Sequence, residues 1–288
     1  MNLNNSCTLC PNFCKVNKEF NKGLCGTDGQ IKIAKYYLHK FEEPIISGKN
    51  GSGTIFFCGC SLKCVFCQNY ELSRNVRGKI VSVNELADIF KRLEDLGASN
   101  INLVSPTHYS DKIIQALNIY KPKIPIVYNT HGYENLEILR ELDNFIDVYL
   151  PDIKFFSSTL SNRYSSKSDY FEKASKAIEF MAYKPLVFGD DGLLKKGTIV
   201  RHLVLPQCSY DSKKILDWFT CIKEKAYINI MSQYTPFGDI KNFPELKRKI
   251  TKREYDSVID YAISLDIKNA FYQKFESASE VYIPSWDY

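Results

Sequence analysis

Six short apolar segments set apart by helical ones constrain this chain more than any other feature. They read TIFF (54–57), NINLVS (100–105), PIVYN (125–129), DVYLPDIK (147–154), TIVRHLVL (198–205) and INIMSQY (228–234). Between them VNELADIFKRLEDLG, DKIIQALNIY, ENLEILRELD, DYFEKASKAIEFM and SKKILDWFTCIKEK repeat apolar residues at three- and four-residue spacing, the period of a helix with one buried face. Strands that are mostly apolar must be covered on both sides, which parallel strands with crossover helices achieve. The expectation is an α/β fold, a parallel sheet of six β–α units, curved and backed by helices. Six units fall short of a closed eight-stranded barrel, so one side should stay open, with the site at the carboxyl ends of the strands.

The stretch GSGTIFFCGCSLKCVFCQNYELS, residues 51–73, contains the first of these strands and, just after it, holds Cys60, Cys64 and Cys67 as C-x3-C-x2-C. A loop this short can aim three thiolates at one polynuclear centre. A cubane of four irons held by three cysteines leaves one iron without a protein ligand, and open metal positions are where enzymes place chemistry. The rival reading is a zinc knuckle with Cys58 as a fourth ligand, C-x-C-x3-C-x2-C. C-x-C is awkward for two ligands on one small ion, and Cys58 reads instead as a buried residue at the strand end.

A second group, Cys7, Cys10, Cys14 and Cys25, is spaced C-x2-C-x3-C-x10-C among the turn formers Pro11, Asn12, Asn21, Gly23, Gly26 and Gly29. The segment has too little apolar surface to order itself, so a bound metal would supply the stability. Four cysteines suit a tetrahedral zinc ion or an auxiliary iron–sulfur cluster, and the spacing leaves both open. Ten cysteines in 288 residues, clustered this tightly in a chain whose start lacks a signal peptide, indicate metals and a reducing, cytoplasmic interior. The net charge of +5 is too small and scattered for nucleic acid, and no apolar run approaches a membrane span.

Three regions are expected: a four-cysteine cap and joint (1–48), the barrel (49–240) and a helical, aromatic extension packed on it (241–288), with a helix over PELKRKITKREYDSVIDYAISL (244–265) and a tail whose Trp286 and tyrosines read as packing or a substrate path. Lys40, Glu42 and Glu43 read as exposed charges near the joint. Strand ends offer Ser105-Pro106-Thr107, Asn129-Thr130-His131-Gly132, Asp152-Ile153-Lys154, Arg201 and Gln233. Asp152 and Lys154, two apart on a strand, share a face; a salt bridge and ligand recognition are both readings.

The loop C-x3-C-x2-C after a buried strand resembles the signature of the radical S-adenosylmethionine superfamily. The phrases CxxCPNxCxVN, GTIFFCGCSLKCVFCQNYE, VSPTHY, VYNTHGYE, DVYLPDIK, RHLVLP and MSQYTP resemble its branch of uncharacterised, pyruvate formate-lyase activating enzyme-like iron–sulfur proteins, a resemblance that spans roughly residues 7 to 265. The resemblance implies a partial (β/α)6 TIM-type barrel, here with a small Cys-rich N-terminal cap. It implies a 4Fe–4S cluster on Cys60, Cys64 and Cys67 and S-adenosyl-L-methionine chelated at the free iron. Reductive cleavage to a 5′-deoxyadenosyl radical would lead to hydrogen abstraction from a protein or peptide, with activation of a glycyl-radical enzyme as the first expectation and another peptide or a small molecule as the nearest rival. It implies a low-potential electron donor of the flavodoxin or ferredoxin type. Phe66 takes the place of an apolar residue beside the adenine, and Asp152 and Lys154 match an Asp-x-Lys near the cofactor. Asn129 falls in a segment resembling Asp-Thr-Asn-Gly, and Arg201 and Gln233 fall at later strand ends. The GGE motif that holds the cofactor amine in many activating enzymes is absent; Ser105 and Thr107 stand there instead. A non-catalytic iron–sulfur carrier or sensor is the alternative from another class, and a zinc-ribbon RNA-binding protein would need a basic aromatic face that the charge distribution lacks.

Overall fold

The computed structural model describes residues 6–273 and 275. Its regular elements begin with β1 (Ile31–His39), α1 (Pro44–Ser47), β2 (Ser52–Phe57), α2 (Tyr70–Asn75), β3 (Lys79–Val81), α3 (Val83–Asp95), β4 (Ile101–Val104), α4 (Ser110–Ile119), β5 (Ile126–Thr130) and α5 (Leu136–Leu142). They continue with β6 (Val148–Pro151), α6 (Ser158–Ser165), α7 (Tyr170–Met181), β7 (Val187–Phe188), β8 (Leu194–Leu203), α8 (Ser209–Phe219), β9 (Tyr227–Met231), α9 (Lys252–Ser264) and β10 (Ala270–Tyr272).

The six expected strands are β2, β4, β5, β6, β8 and β9, and they pair in parallel in that order. Three further strands extend the sheet. β10 adds in parallel to β9, β1 adds antiparallel to β2, and β3 follows β1. The resulting sheet runs β10-β9-β8-β6-β5-β4-β2-β1-β3, with β7 paired on β8, and among the described residues it does not close. This is the partial barrel read from the sequence, with a wider span.

Helices cover the outer face because their apolar stripes match the outward residues of the strands. Leu86, Ile89, Phe90 and Leu93 of α3 and Ile113, Ala116 and Leu117 of α4 join Ile55, Ile101, Leu103 and Tyr128 in one continuous core. Helix α3 starts at a capping box in which Ser82 and Glu85 satisfy each other's backbone N–H groups. Helix α9 starts the same way at Thr251 and Glu254, so only the second half of the helix expected from residue 244 is regular.

The inner face has two layers. At the bottom, Ile46 of α1 packs with Val127, Val148, Leu150, Leu194 and Ile199. The connection from β1 to β2 therefore enters the barrel and closes its floor, a role the sequence does not advertise. Trp286 and the aromatic tail lie outside the described residues.

Candidate active site

Above the floor, inward residues one register step further along the strands are polar: Asn102 on β4, Asn129 on β5, Arg201 on β8 and Asn229 on β9. Glu42 and Glu43 descend onto them from the β1–β2 connection. Arg201 is the hub. Its Nε donates to Asp152 Oδ1 at 2.9 Å, its Nη2 to Asn129 Oδ1 at 2.7 Å and its Nη1 to Glu42 Oε1 at 3.3 Å. Glu42 Oε2 also accepts from Asn102 Nδ2 at 2.7 Å and Asn129 Nδ2 at 3.0 Å. Lys154 Nζ donates to Asp152 Oδ2 at 2.6 Å. Glu43 accepts twice from the Asn229 amide, at 2.9 and 2.8 Å.

Glu42 is therefore no solvated charge. Its side chain is 11% exposed, and that of Arg201 is 16% exposed. Glu43 is buried. The reading of these two as exposed charges fails because their chain segment plugs the barrel instead of skirting it. Burial opposes ionisation of Asp152, yet Arg201 and Lys154 outweigh it and hold the carboxyl below its ordinary range. Lys154 stays cationic for the reciprocal reason, Asp152 more than offsetting desolvation. Burial and then Glu42 push Glu43 up.

This array is the floor of a cavity of about 710 Å³, within the range of small-molecule sites. Cys60, Cys64, Phe66, Cys67, Ser105, Asn129, Asp152, Lys154, Arg201 and Gln233 all line it. Thiols delivered by the end of β2 thus share one chamber with charges delivered by the ends of β6 and β8. Phe66 is held edge-to-face by Phe155, Tyr164 and Tyr234, with ring centroids 6.0–6.2 Å apart. Ser105 lines the wall with a left-handed backbone, φ 57°, a costly conformation that concentrates at functional sites.

Thr107 is not brought into the cavity. It is fully buried, and its hydroxyl donates to Glu134 Oε1 at 2.5 Å, so its expected contact with a cofactor is corrected. Glu134 also accepts from Thr130 and Tyr128; burial pushes it up to about 7 despite these bonds.

His131 is scaffold. Its Nδ1 accepts the Tyr133 N–H at 3.1 Å, so Nε2 carries the proton and donates to Ser61 Oγ at 2.7 Å, which anchors the cysteine loop to the end of β5. Burial, then Lys154, holds it down to about 3, neutral at physiological pH. Gly132 adopts φ +80° and has the Asp152 carbonyl 2.4 Å from where a Cβ would stand, so only glycine fits that turn. Cys58 stays outside the cavity, packed with Phe56 and Leu72 and donating its thiol to the Arg77 carbonyl at 2.9 Å.

On the opposite wall Lys35, Tyr37, His39 and Phe41 line the cavity from β1 and the residues after it. Tyr37 stacks on Phe56 at 5.9 Å. Sequence reasoning missed this wall, although Lys35, Tyr37 and His39 alternate as one face of a strand should.

The cap sits against the cysteine loop. Cys7, Cys10 and Cys25 are buried and Cys14 half-buried. The sulfurs of Cys25 and Cys14 lie 3.3 and 3.4 Å from the position a Cβ would take on Gly23, so both gather beside that glycine. Among the described residues no three Cys, His, Asp or Glu side chains converge on a single-ion site, and any metal would have to draw these thiols in.

An open parallel barrel with a three-cysteine loop at the end of its first parallel strand defines the class: the chain belongs to the radical S-adenosylmethionine (SAM) superfamily. The superfamily's sequence pattern matches residues 54–182. Over 274 residues the chain is 31% identical to the uncharacterized protein MJ0674 of Methanocaldococcus jannaschii, covering 91% of this chain and 75% of that one. Crystal structures of Streptococcus suis SuiB are similar in fold at 16% identity. The form bound to S-adenosylmethionine gives a TM-score of 0.52 over 77% of this chain and 52% of SuiB. The form bound to precursor peptide SuiA gives 0.51 over 75% and 46%, so the chain spans about half the length of SuiB. Membership implies an enzyme with a 4Fe–4S cluster and SAM as its cofactors. No described helix is long and apolar enough to cross a membrane.

Proposed function

We propose that this protein is a radical SAM enzyme whose cluster is ligated by Cys60, Cys64 and Cys67 and which abstracts hydrogen from a protein or peptide. One observation carries the reading: these three side chains and the Asp152–Lys154–Arg201 array line the same cavity. The donor set fits the cofactors. Three thiols suit an iron–sulfur cluster with one open iron, and paired charges of both signs suit the amino-acid end of SAM. When bound, the pair supplies one-electron cleavage of the sulfonium to methionine and a 5′-deoxyadenosyl radical.

The residues of the chain bind and orient. Lys154 neutralises the methionyl carboxylate. Asp152, already fixed by Arg201, accepts hydrogen bonds nearby, and Asn129, Ser105 and Gln233 supply further polar contacts. Phe66 offers an apolar edge to the adenine. Because the barrel is open along one side, a flexible loop of a partner can reach the chamber. Glycyl-radical activation is the first assignment of that partner. Modification of another peptide is the second, favoured by SuiB having been captured with its precursor peptide. A low-potential ferredoxin- or flavodoxin-type donor supplies the electron.

The test is to incubate the reduced, reconstituted protein with SAM anaerobically and measure 5′-deoxyadenosine. Its accumulation above a cluster-free control is expected. None at all from fully loaded protein would return the chain to the class of electron carriers or sensors.

A further inference from the structure

The cap touches the cysteine loop through specific polar bonds as well as packing. The Cys60 N–H donates to the Cys25 carbonyl at 3.2 Å. Asn12 Nδ2 donates to the Ser61 carbonyl at 2.9 Å and also lies 3.5 Å from Cys10 Sγ. One amide group therefore joins a cap thiol to the residue that follows Cys60. Asn135 Nδ2 at the head of α5 donates to the Thr8 carbonyl at 2.8 Å. Gly59, φ +91°, has Thr27 Cγ2 2.4 Å and the Cys25 carbonyl 2.9 Å from a would-be Cβ, so the two loops meet there without room for a side chain.

The charges around the cap are unbalanced. Lys18 is 6% exposed. Its ammonium donates to the His108 carbonyl at 3.0 Å and lies 5.7 Å from the Tyr109 ring centroid; among the described residues it forms no ion pair with a carboxylate. A second ammonium, Lys63 Nζ, lies 3.8 Å from where a Cβ on Gly26 would stand, one residue beyond Cys25. A buried ammonium without a counter-charge is costly. Lys18 stands in the same turn-rich segment as the cap thiols, two residues after Val16, whose carbonyl accepts from the Cys7 N–H at 3.0 Å. The Asn12 amide donates toward Cys10 Sγ, and the Thr27 hydroxyl lies 3.1 Å from Cys25 Sγ, a pair in which either group can donate. Donors aimed at sulfur are the outer partners that metal-bound thiolates require.

We propose that Cys7, Cys10, Cys14 and Cys25 hold a metal centre as a tetrathiolate anion countered by Lys18, and that Asn12 couples this centre to the loop bearing Cys60, Cys64 and Cys67. The centre is a positioning device: it orders a segment that has no strand or helix of its own, and that segment in turn holds the loop's backbone. The coupling half rests on the reading of Cys60–Cys67 as the cluster loop; the metal half does not.

The first experiment removes the other site. A full-length Cys60→Ala/Cys64→Ala/Cys67→Ala protein, purified anaerobically, should retain one metal centre per chain by elemental analysis. Zinc alone, or iron with acid-labile sulfide, both satisfy the proposal and identify the ion. A chain free of both overturns it. In that background Lys18→Met should weaken metal retention about 10- to 100-fold in competition with a chelator, the usual effect of losing an outer partner; unchanged retention refutes the counter-charge. With the three loop cysteines intact, Asn12→Ala should keep the cap metal while altering the cluster's electron paramagnetic spectrum and lowering SAM cleavage. An unchanged spectrum and rate would sink the coupling. Failure of the proposed function looks different: wild type and triple variant would then hold the same metal.

Discussion

Cys60, Cys64 and Cys67 hang from the end of β2, a strand hydrogen-bonded to β1 on one side and β4 on the other. Cys7, Cys10, Cys14 and Cys25 lie in a stretch without helix or strand. Both groups are cysteines at short spacing, yet the sheet aims the first and only docking bonds hold the second. A ligand set at a strand end is ordered before metal arrives and can keep a coordination position open for chemistry. A cysteine set in a turn-rich segment has only its docking bonds to order it, and the proposed metal would add to them.

The comparison breaks most visibly at the ligands. Cys60→Ala should take 5′-deoxyadenosine formation to background while the cap keeps its metal; full activity in this variant would show the loop ligands are misassigned. Next in size is Arg201→Met, which leaves Asp152 and Glu42 facing each other in a largely buried site. Losing the shared cation should cost on the order of 3 kcal/mol in urea unfolding, with cap metal content unchanged. A loss below about 1 kcal/mol would mean that solvent already screens the array.

A pH effect of similar size sits behind the barrel wall. Glu134 stands near 7 in the folded chain against an ordinary 4.5, so the folded state holds its proton more tightly. Its contribution is full below about pH 4.5 and is lost as pH rises through about 7, a few kcal/mol at about 1.4 per unit. Glu134→Gln should remove that slope, so the variant gains on wild type above pH 7. Parallel stability curves for the two from pH 4.5 to 8 would refute the assignment. Buried His202, held near 4 chiefly by desolvation, acts oppositely: its stabilisation is full above 6.5 and fades as pH falls. The smallest effect expected is Lys154→Ala, about tenfold weaker SAM binding, or ~1.4 kcal/mol, with the cluster spectrum preserved. Equal affinity would retire its carboxylate role.

Much of this was legible in the chain. Asn129 came with the family resemblance, whereas Asp152, Lys154 and Arg201 could be assigned inward because side chains alternate along a strand, and all four reach the cavity. His202, one residue on, points outward to Ile153 and Ser212, as alternation requires. Thr107 could not be placed this way, since it falls in a turn after β4 where alternation ends. Helix α9 was overextended, although Thr251 and Glu254 spell the capping box that marks its true start. Glu42 and Glu43 were misread for a deeper reason. Adjacent glutamates before a proline look solvated, and nothing local says that the connection dives into a barrel whose inner strands carry Asn102, Asn129, Arg201 and Asn229.

Local sequence was enough for the alternation of strand and helix and for three thiols in one loop, because periodicity and spacing act over a few residues and need no knowledge of the rest. The polar plug from the β1–β2 connection, the added strands β1, β3 and β10, and the seating of the cap on the cysteine loop were decided only by the tertiary structure. Each depends on contacts between separate parts of the chain, at the extreme Glu43 with Asn229, 186 positions apart, and is favourable only once burial has removed the water that would otherwise satisfy those groups.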